Sequence, residues 1–372
     1  MVNHSGGITG APLVLLRLVE QLSERNDVAI RVVSREDGPV VERLARLVDV
    51  DVVPDPPQQP RLRVARALGP AYHVARHAYD ARMRQALAGA DLIHSNTITN
   101  GRALRALRAP HPPILTHVHE LPRFLECFTS AGDLAVTVAA STAFIAPSRE
   151  VHAFLTDKLD LSSDRIFSVR ECVDAASLLR AAECWRPPEA ANRYVTLVGT
   201  FDQRKGADLF VPLVRAAAKR VPATVCFRWI GADPESRLAR VANDDLAASG
   251  LSERASIHAV SGDVLDRICE SHAVVILSRE DPQPLVAIEA AALGVPVICF
   301  ADAGGTPDIV AAASGAVVPY LDLEAMADAI ARFATPGKRE KAQVDQGVLA
   351  NHRAEVAAEQ LLLVYRQVTN RA

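Results

Sequence analysis

The stretch that decides the fold is LSREDPQPLVAIEAAALGVPVI, residues 277–298. It predicts the end of a buried strand, an acidic loop, a helix that begins at Pro284 and ends at Gly294, and the start of a second buried strand. Proline suits the first position of a helix, and glycine suits the left-handed residue that ends one. The flanking runs 273–277 and 295–300 are almost continuously apolar, which is typical of parallel strands covered on both faces. Because such sheets bind ligands beyond the carboxyl ends of their strands, we expect a ligand at the acidic loop.

Glu289 is the one charged residue of the predicted helix. Its neighbours in sequence are apolar, and a carboxylate among apolar side chains is costly unless it faces polar partners. The two hydroxyl groups of a ribose would be such partners. The alternative is that Glu289 occupies the exposed edge of a half-buried helix, where water satisfies it.

Composition limits the class of protein. At 372 residues, two hydrophobic cores are expected rather than one, and contents of 49% hydrophobic and 23% charged residues are those of a soluble globular protein. A net charge of −3 argues against a broad nucleic-acid-binding surface. The six cysteines form no CxxC pair, so neither a zinc site nor a disulfide framework is predicted. We find no signal segment and no apolar run long enough to span a bilayer, and we expect a cytoplasmic protein.

Strand and helix patterns alternate along nearly the whole chain, which predicts parallel sheets with helices on both faces. The proline-containing stretch 183–192 is the best linker candidate, and the pattern restarts after it. We therefore predict an α/β protein with two doubly wound, Rossmann-like domains, 1–185 and 186–345, and a helical tail, 346–372, that packs back on the first domain. Only residues 1–4 precede the first glycine-rich loop, so the first strand looks shortened. The other strands are predicted near 28–33, 91–95, 113–118, 143–146, 165–169, 193–199, 224–230, 255–260, 273–278, 295–300 and 315–318.

The first glycine-rich segment is SGGITGAP, residues 5–12. Gly6 and Gly7 would let the backbone approach a ligand, and the N-terminus of the following helix would attract an anion. The segment matches the dinucleotide-binding fingerprint poorly. A ligand loop and a tight structural turn are equal alternatives here.

A second segment, VGTFDQRKG at 198–206, follows an apolar strand and carries Arg204 and Lys205 where the next helix should begin. Two cations together with free backbone amides can form a diphosphate site. Lys205 is one of only five lysines beside 36 arginines. The alternative is ordinary surface charge.

The segment THVHE, residues 116–120, lies at the end of another apolar strand. Because side chains alternate along a strand, His117 and His119 share a face. Imidazoles at this spacing can share a metal ion, but we favour a hydrogen-bonding role for His119 in a cleft between the domains and a core position for His117. A last segment, AGGTPD at 303–308, is a glycine turn that opens a helix, and its strand order places it beside the acidic loop.

Together these residues resemble the family-4 glycosyltransferases, which have the two-domain GT-B architecture. The family's signature is a pair of acidic residues with seven residues between them, followed by a helix of small residues and Gly-x-Pro-Val. Asp281 and Glu289 have that spacing, and the sequence AAALGVPV follows. The RKG at 204–206 and the GGTPD at 304–308 also match, and the resemblance is strongest from about 193 to 335.

The resemblance implies transfer of a sugar from a nucleotide-diphosphate donor to an acceptor hydroxyl, with retention of configuration and usually without a metal ion. The C-terminal domain would bind the donor. Glu289 would hold the ribose hydroxyls, and Lys205 with Arg204 would neutralise the departing diphosphate. Asp281, or the adjacent Glu280, would lie near the donor sugar.

The resemblance also implies roles for both sides of a cleft. His119 would reach the donor sugar from the N-terminal, acceptor-binding domain, and the loop of Gly6 and Gly7 would approach the phosphates or the acceptor. Two prolines stand where the family often has glycines, which leaves the amides of Gln283 and Leu285 for the ligand.

The expected partners are a nucleotide sugar and a saccharide, lipid-linked or small-molecule acceptor, with no nucleic acid, no metal and no resident cofactor. The arginine-rich residues 61–84 could add a peripheral membrane contact, although a solvated helical face explains them better. Two alternatives remain: a non-catalytic nucleotide-sugar-binding or scaffold protein of the same fold, and a sugar-nucleotide epimerase.

Overall fold

The structure, a computed structural model, describes residues 1–56, 65–185, 193–260, 262, 264–334 and 344–370, without the side chains of 65–72. The chain divides into two compact units. Unit 1 comprises Met1–Glu171 and Ala354–Ala372, and unit 2 comprises Cys172–Arg353. Each unit is built on one parallel sheet with helices between the strands, so the predicted α/β, doubly wound fold is confirmed.

Unit 1 contains a seven-stranded parallel sheet in the order β3-β2-β1-β4-β5-β6-β7. The short central strand pairs Val2 with Val33 on one side and with Ser95 on the other, so the residues expected to end the first strand do form one. The strands are β1 (Val2–Asn3), β2 (Arg31–Ser34), β3 (Asp49–Val52), β4 (Ile93–Ser95), β5 (Ile114–His117), β6 (Ala143–Ala146) and β7 (Ile166–Ser168).

The helices of unit 1 cover this sheet with apolar side chains. Leu15, Leu16 and Val19, for example, pack in one cluster with Val32 of β2. The helices are α1 (Gly10–Ser23), α2 (Pro39–Leu44), α3 (Ala65–Ala86), α4 (Gly101–Leu104), α5 (Pro122–Leu125), α6 (Ala131–Ala140) and α7 (Arg149–Ala153). A π-helical turn, Phe154–Lys158, follows α7, and 3₁₀ turns form at Ile98–Asn100 and Ser163–Arg165.

Unit 2 contains a six-stranded parallel sheet in the order β10-β9-β8-β11-β12-β13. Counted within the unit this is the order 3-2-1-4-5-6, and the direction of winding reverses between β8 and β11. Sheets of this order bind ligands beyond the carboxyl ends of the two strands at that reversal. The strands are β8 (Arg193–Val198), β9 (Val225–Ile230), β10 (Ala255–His258), β11 (Ser271–Ile276), β12 (Val297–Phe300) and β13 (Gly315–Val318).

The boundary between the units lies at 171/172, whereas the sequence placed it at 185/186. Helix α8 belongs to unit 2 because Leu178 packs in a core cluster with Ile268 of α11. Helix α15 packs on α12, while α16 packs against α1 in unit 1. Residues 186–192 of the predicted linker lie outside the described residues. The helices are α8 (Ala175–Cys184), α9 (Ala207–Ala217), α10 (Arg237–Ala248), α11 (Val264–Cys269), α12 (Leu285–Ala292), α13 (Thr306–Ala312), α14 (Leu323–Ala334), α15 (Gln346–Asn351) and α16 (Ala354–Thr369).

The arginine-rich stretch 61–84 falls largely on α3, and its first four residues lie outside the described part of the chain. Arg76 pairs with Asp80 at 3.3 Å, and Arg82 and Arg84 donate to backbone carbonyls elsewhere in unit 1. A membrane contact of this stretch stays a prediction. Among the helices that the structure describes, we find none with the length and apolar character needed to cross a bilayer.

Candidate functional site

A pocket opens in unit 2 where the strand order reverses, at the carboxyl ends of β8 and β11. Its lining includes Val198 at the end of β8, Lys205 in the following loop, Ser278 and Asp281 after β11, and Val286 of α12. This is the place where open α/β sheets bind their ligands. Two of the residues predicted for the donor site therefore meet in a pocket of the expected kind.

Lys205 and Asp281 form an ion pair in this pocket. Nζ of Lys205 donates to Oδ2 of Asp281, and Oγ of Ser278 donates to the same oxygen at 3.3 Å. The two charged side chains are 17% and 8% exposed. Burial and the neighbouring Arg204 lower the pKa of Lys205, and the Asp281 carboxylate opposes that shift. The carboxylate therefore stabilises a lysine charge that burial disfavours.

The loop that carries Lys205 is docked on the strand beside it through Gly206. Gly206 has a φ of +83°, and a Cβ there would lie 2.2 Å from the carbonyl oxygen of Leu277. The backbone N–H of Arg279 donates to the carbonyl of Arg204 at 2.8 Å, and the Arg279 guanidinium binds both carboxylate oxygens of Asp208 at 2.7 Å. These contacts fix the two pocket loops against each other.

Arg204 and Glu280 lie on the same two loops as the ion pair. Nη1 of Arg204 is 3.5 Å from the carbonyl oxygen of Glu280, and Nε of Arg204 is buried without a hydrogen-bond partner among the described residues. The Glu280 side chain is buried. The four charged residues predicted at 204, 205, 280 and 281 are thus brought together.

The glycine turn after β12 supports the acidic loop, as its position in the sequence predicted. Asp281 and Gly304 form a parallel β-bridge, in which the N–H of Asp281 donates to the carbonyl of Ala303 at 2.7 Å. The N–H of Gly305 donates to the carbonyl of Asp281 at 3.1 Å. Gly304 has a φ of +115°, and a Cβ there would lie 1.8 Å from the Asp281 carbonyl oxygen. Only glycine fits this contact.

Gly304→Ala should therefore destabilise unit 2 by about 3 kcal/mol, because about 1–2 kcal/mol of backbone strain adds to the displacement of the acidic loop. Gly250→Ala is the matched control, since Gly250 also has a positive φ, +67°, but open space around its Cβ position. It should lose only the strain. Urea unfolding followed by tryptophan fluorescence checks both variants, because Trp185 and Trp229 both lie in unit 2. Equal losses in the two variants would mean that the bridge tolerates a side chain.

Helix α12 begins one residue later than predicted. Pro284 is the N-cap, with φ −68° and ψ 126°, and the helix runs over Leu285–Ala292. It ends as expected at Gly294, whose φ is +65°, and Gly294 N and Val295 N donate to the carbonyls of Ala291 and Ala290. This pattern is the Schellman motif.

Glu289 occupies the half-buried edge of α12. It and Leu285 are half-buried, whereas Val286, Ala287 and Ile288 are buried. Residues four apart lie on one helix face, so Leu285 and Glu289 form a partly exposed stripe along α12. Glu289 itself is not among the residues that line the pocket. The burial of Glu289 therefore agrees with the alternative interpretation, in which it occupies the edge of the helix. That Glu289 binds a ribose stays a prediction.

In unit 1, His119 lies beyond the carboxyl end of β5 and is held by hydrogen bonds at both ring nitrogens. Nδ1 is 2.7 Å from Oε1 of Glu171, and Nε2 is 3.3 Å from Oδ1 of Asn96. Burial disfavours the imidazolium, but the Glu171 and Glu120 carboxylates outweigh it and raise the pKa of His119. The ring is fixed and favours the charged form.

Glu120 fixes the backbone of this segment. Its carboxylate accepts from Oγ1 of Thr97, from the N–H of Ile98 at 3.3 Å and from the N–H of His119 at 3.0 Å. Burial raises the pKa of Glu120, and these three donors oppose the shift. The carboxylate thus ties the loop after β4 to the loop after β5.

His117 behaves as the core histidine that we favoured. It is 1% exposed, neither ring nitrogen has a hydrogen-bond partner among the described residues, and burial holds its pKa well below its ordinary value. Metal-binding atoms of His117, His119 and Glu171 lie within 4.8 Å of one another. The ring centroids of His117 and His119 are 4.1 Å apart, and the ring planes are inclined at 34°. The cluster is a hydrogen-bonded His–Glu pair beside a core histidine, and the expectation of no metal stays a prediction.

Close backbone packing explains why residue 6 is a glycine. A Cβ at Gly6 would lie 2.4 Å from the backbone of Asp37, and its carbonyl accepts from the N–H of Val40 at 3.0 Å. Gly7 has more room, with Oγ of Ser5 nearest at 3.5 Å. A ligand role for this loop stays a prediction.

Two family models match the chain. The model for Glycosyl transferases group 1 matches residues 192–335, and the model for Glycosyltransferase Family 4 matches residues 8–177. The chain is a family-4-like glycosyltransferase of the GT-B type. A search of curated protein sequences found no match.

Several solved structures share the fold of this glycosyltransferase. HepE from Anabaena, in complex with UDP and glucose, is 17% identical over 98% of this chain and 99% of its own, with a TM-score of 0.74. Sucrose-phosphate synthase from Thermosynechococcus elongatus is 22% identical over the whole of both chains, with a TM-score of 0.74. A variant of TarM from S. aureus, in complex with Fondaparinux, alpha-GlcNAc-glycerol and UDP, is 14% identical over 80% of this chain and 59% of its own, with a TM-score of 0.58.

The residues that support the site of this glycosyltransferase were not predictable from its sequence. Glu171 is 52 residues from His119 in the chain, and nothing in the surrounding sequence marks it. Trp229, whose Nε1 donates to the Gly199 carbonyl at 2.8 Å, looked like an ordinary strand residue. Such partners depend on which strands are neighbours in the sheet, so a single sequence gives little signal for them.

Proposed function

We propose that the enzyme transfers a glycosyl group from a nucleoside-diphosphate sugar to a hydroxyl of a saccharide, lipid-linked or small-molecule acceptor, with retention of configuration. The observation that carries the proposal is the largely buried Lys205 side chain at the strand reversal of unit 2, whose ammonium lies beside a carboxylate. Structural neighbours in complex with UDP, UDP-glucose or UDP and glucose support a nucleotide-sugar donor. TarM in complex with alpha-GlcNAc-glycerol supports a saccharide-containing acceptor.

Lys205 and Arg204 would stabilise the diphosphate as it leaves. Breaking the bond between the sugar and the diphosphate builds negative charge on the phosphate oxygens, and cations already in place stabilise that charge most where water is excluded. Arg204 adds donors that suit phosphate geometry. In this proposal the two side chains take the place of a metal ion.

The ion pair of Lys205 and Asp281 would open when the donor binds. A whole diphosphate group is a stronger partner for the ammonium than a single carboxylate, because the group carries more charge and offers more acceptor oxygens. The released Asp281, or Glu280 beside it, would then accept hydrogen bonds from hydroxyl groups of the donor sugar. One binding event would thus prepare both the cation for the leaving group and the acid for the sugar.

Glu289 would bind the ribose from the stripe that it shares with Leu285 on α12. The first turn of a helix has backbone N–H groups without intrahelical partners, so the Leu285 amide suits a phosphate or sugar oxygen. A carboxylate one turn further along suits two vicinal hydroxyls. In this way α12 would contribute contacts to both ends of the nucleotide's ribose–phosphate segment.

Glu289→Gln should weaken binding of the matching nucleoside diphosphate by about tenfold, since a hydrogen bond to a charged group contributes about 1.5–3 kcal/mol. Calorimetry with the nucleoside diphosphate and its 2′-deoxy analogue measures the effect. The preference for the ribose form should shrink in Glu289→Gln and persist in Glu253→Gln, a control at an exposed position of the same unit. An unchanged preference in Glu289→Gln would remove Glu289 from the ribose site.

The whole proposal is tested by a thermal-shift screen against uridine, guanosine, adenosine and thymidine diphosphate sugars, followed by NMR of the transfer product. We expect one nucleotide class to stabilise the enzyme, and a product whose anomeric coupling matches that of the donor. Stabilisation by none of the four would reject the donor proposal. A product of inverted configuration would reject the proposal of retention but would not contradict the proposed donor site.

A further inference from the structure

Glu171 and His119 form a nearly buried pair in unit 1. Nδ1 of His119 lies 2.7 Å from Oε1 of Glu171, and the two side chains are 7% and 4% exposed. An ionised carboxylate only accepts hydrogen bonds, so Nδ1 must carry the proton that is shared with it. This contact alone would fit a neutral imidazole as well as a charged one.

Asn96 is the hydrogen-bond partner of the other ring nitrogen of His119, Nε2. Its Nδ2 donates to the carbonyl of Ala11 at 2.9 Å, which fixes the orientation of the amide. Oδ1 of Asn96 is therefore the atom that faces Nε2 of His119, at 3.3 Å. A carbonyl oxygen only accepts, so a proton on Nε2 would complete this contact. Both ring nitrogens of His119 thus face acceptors, an arrangement that the imidazolium satisfies and that neither neutral tautomer satisfies.

We infer that Glu171 is a positioning residue that holds His119 as an imidazolium between two acceptors, so that His119 serves as a hydrogen-bond donor and not as a base. The part of this inference that concerns catalysis rests on the proposed function. With no lone pair left on the ring, His119 cannot accept the proton of the acceptor hydroxyl. It can donate Nε2–H to an oxygen of a bound substrate in place of Asn96.

Four histidines, His4, His94, His117 and His119, influence one another's pKa. Among these four, His119 is the one whose pKa nearby carboxylates raise. Burial lowers the pKa of His94 to about 3 and that of His4 to about 4, and burial also keeps His117 neutral. His119 contributes to all three shifts, because its charge disfavours a second cation nearby. The charged and titratable groups around His119 are Glu171, Glu120, His4, His94 and His117.

The pH dependence follows from the raised pKa of His119. The imidazolium is fully present below the ordinary value near 6.5, persists above it, and is lost as the pH rises through the raised pKa. Removing the Glu171 charge leaves burial as the main influence and lowers that pKa. The alkaline limit of any function that needs the imidazolium should then move to lower pH.

The experiment is a histidine-selective NMR titration of the full chain, with His119 assigned from the spectrum of His119→Gln. In the wild type we expect the double-donor imidazolium pattern of His119 at neutral pH. In Glu171→Gln, which keeps the side-chain shape, we expect its midpoint to fall by about 1–3 pH units. Glu171→Asp keeps the charge at a shorter reach and should restore part of the shift. A neutral His119 in the wild type, or equal midpoints in wild type and Glu171→Gln, would overturn the inference.

Enzyme kinetics then separate this inference from the proposed function. In Glu171→Gln the alkaline limb of kcat should shift with the NMR midpoint, while affinity for the nucleoside diphosphate stays that of the wild type. A purely structural role of Glu171 would lower kcat equally at every pH. Should the titration follow expectation in a protein that transfers no sugar, the Glu171 assignment stands and the proposed function fails.

Discussion

Lys205→Ala should lower turnover by at least about a hundredfold, because one preorganised donor to a developing negative charge contributes about 2.7–4 kcal/mol to the barrier. The structure gives the reason for so large an effect. The ammonium lies in the strand-reversal pocket, 17% exposed, where little water can replace it. Lys219→Ala is the matched control, since Lys219 is an exposed lysine of the same unit. Steady-state assays with the donor found in the screen give the comparison.

Loss of stability must be separated from loss of chemistry in this variant. Removing one partner of a buried ion pair typically costs about 3–5 kcal/mol, since the other charge is left uncompensated. The double variant Lys205→Met/Asp281→Asn removes both charges of the ion pair, so its melting temperature should recover while its turnover stays low. Turnover close to that of the wild type in either variant would refute the role of Lys205.

Asp281→Asn should have opposite effects on binding and on transfer. In the free enzyme the Asp281 carboxylate holds the ammonium of Lys205. Under the proposed exchange of partners, the carboxylate would compete with a diphosphate for that ammonium. Removing the charge should tighten binding of the nucleoside diphosphate by about fivefold, the equivalent of about 1 kcal/mol for one hydrogen bond. Transfer from the intact donor should fall by at least about tenfold, because a contact to the reacting sugar is lost.

Calorimetry and steady-state kinetics on the same preparation measure the two effects. Asp244→Asn, at an exposed position of α10 in the same unit, is the control and should change neither quantity. Weaker diphosphate binding in Asp281→Asn would show that the carboxylate organises Lys205 for its ligand and does not compete with that ligand. The proposal that a diphosphate replaces Asp281 as the partner of Lys205 would then be wrong.

The fold was predictable because most strands are continuous apolar runs. Strands β8 to β13 and every strand of unit 1 except β3 lie within the predicted ranges or overlap them. Strand β3 was missed, because its sequence DVDV places charged residues at alternate positions and its valines are only half-buried at the sheet edge. Helix α8 was not foreseen either, and its core contacts with α11 move the unit boundary to 171/172.

The candidate site was predictable where residues close in sequence make it up. Three segments each follow a strand: the acidic loop, the RKG segment and the glycine turn. The parallel sheet therefore brings all three to the same edge. Gly6 was harder to interpret, because a glycine required by chain packing and one required by a ligand look the same in sequence. The pairing of Lys205 with Asp281 was also not foreseen, since each was assigned a different part of the donor.

The central claim is that the strand-reversal pocket of unit 2 binds the diphosphate through Lys205. A crystal structure of the enzyme with the nucleoside diphosphate that stabilises it most tests this directly. We predict a phosphate oxygen within about 3 Å of Nζ of Lys205, at the distance of a charge-assisted hydrogen bond, and an Asp281 carboxylate released from that nitrogen. A diphosphate bound elsewhere, with Lys205 still paired to Asp281, would contradict the account.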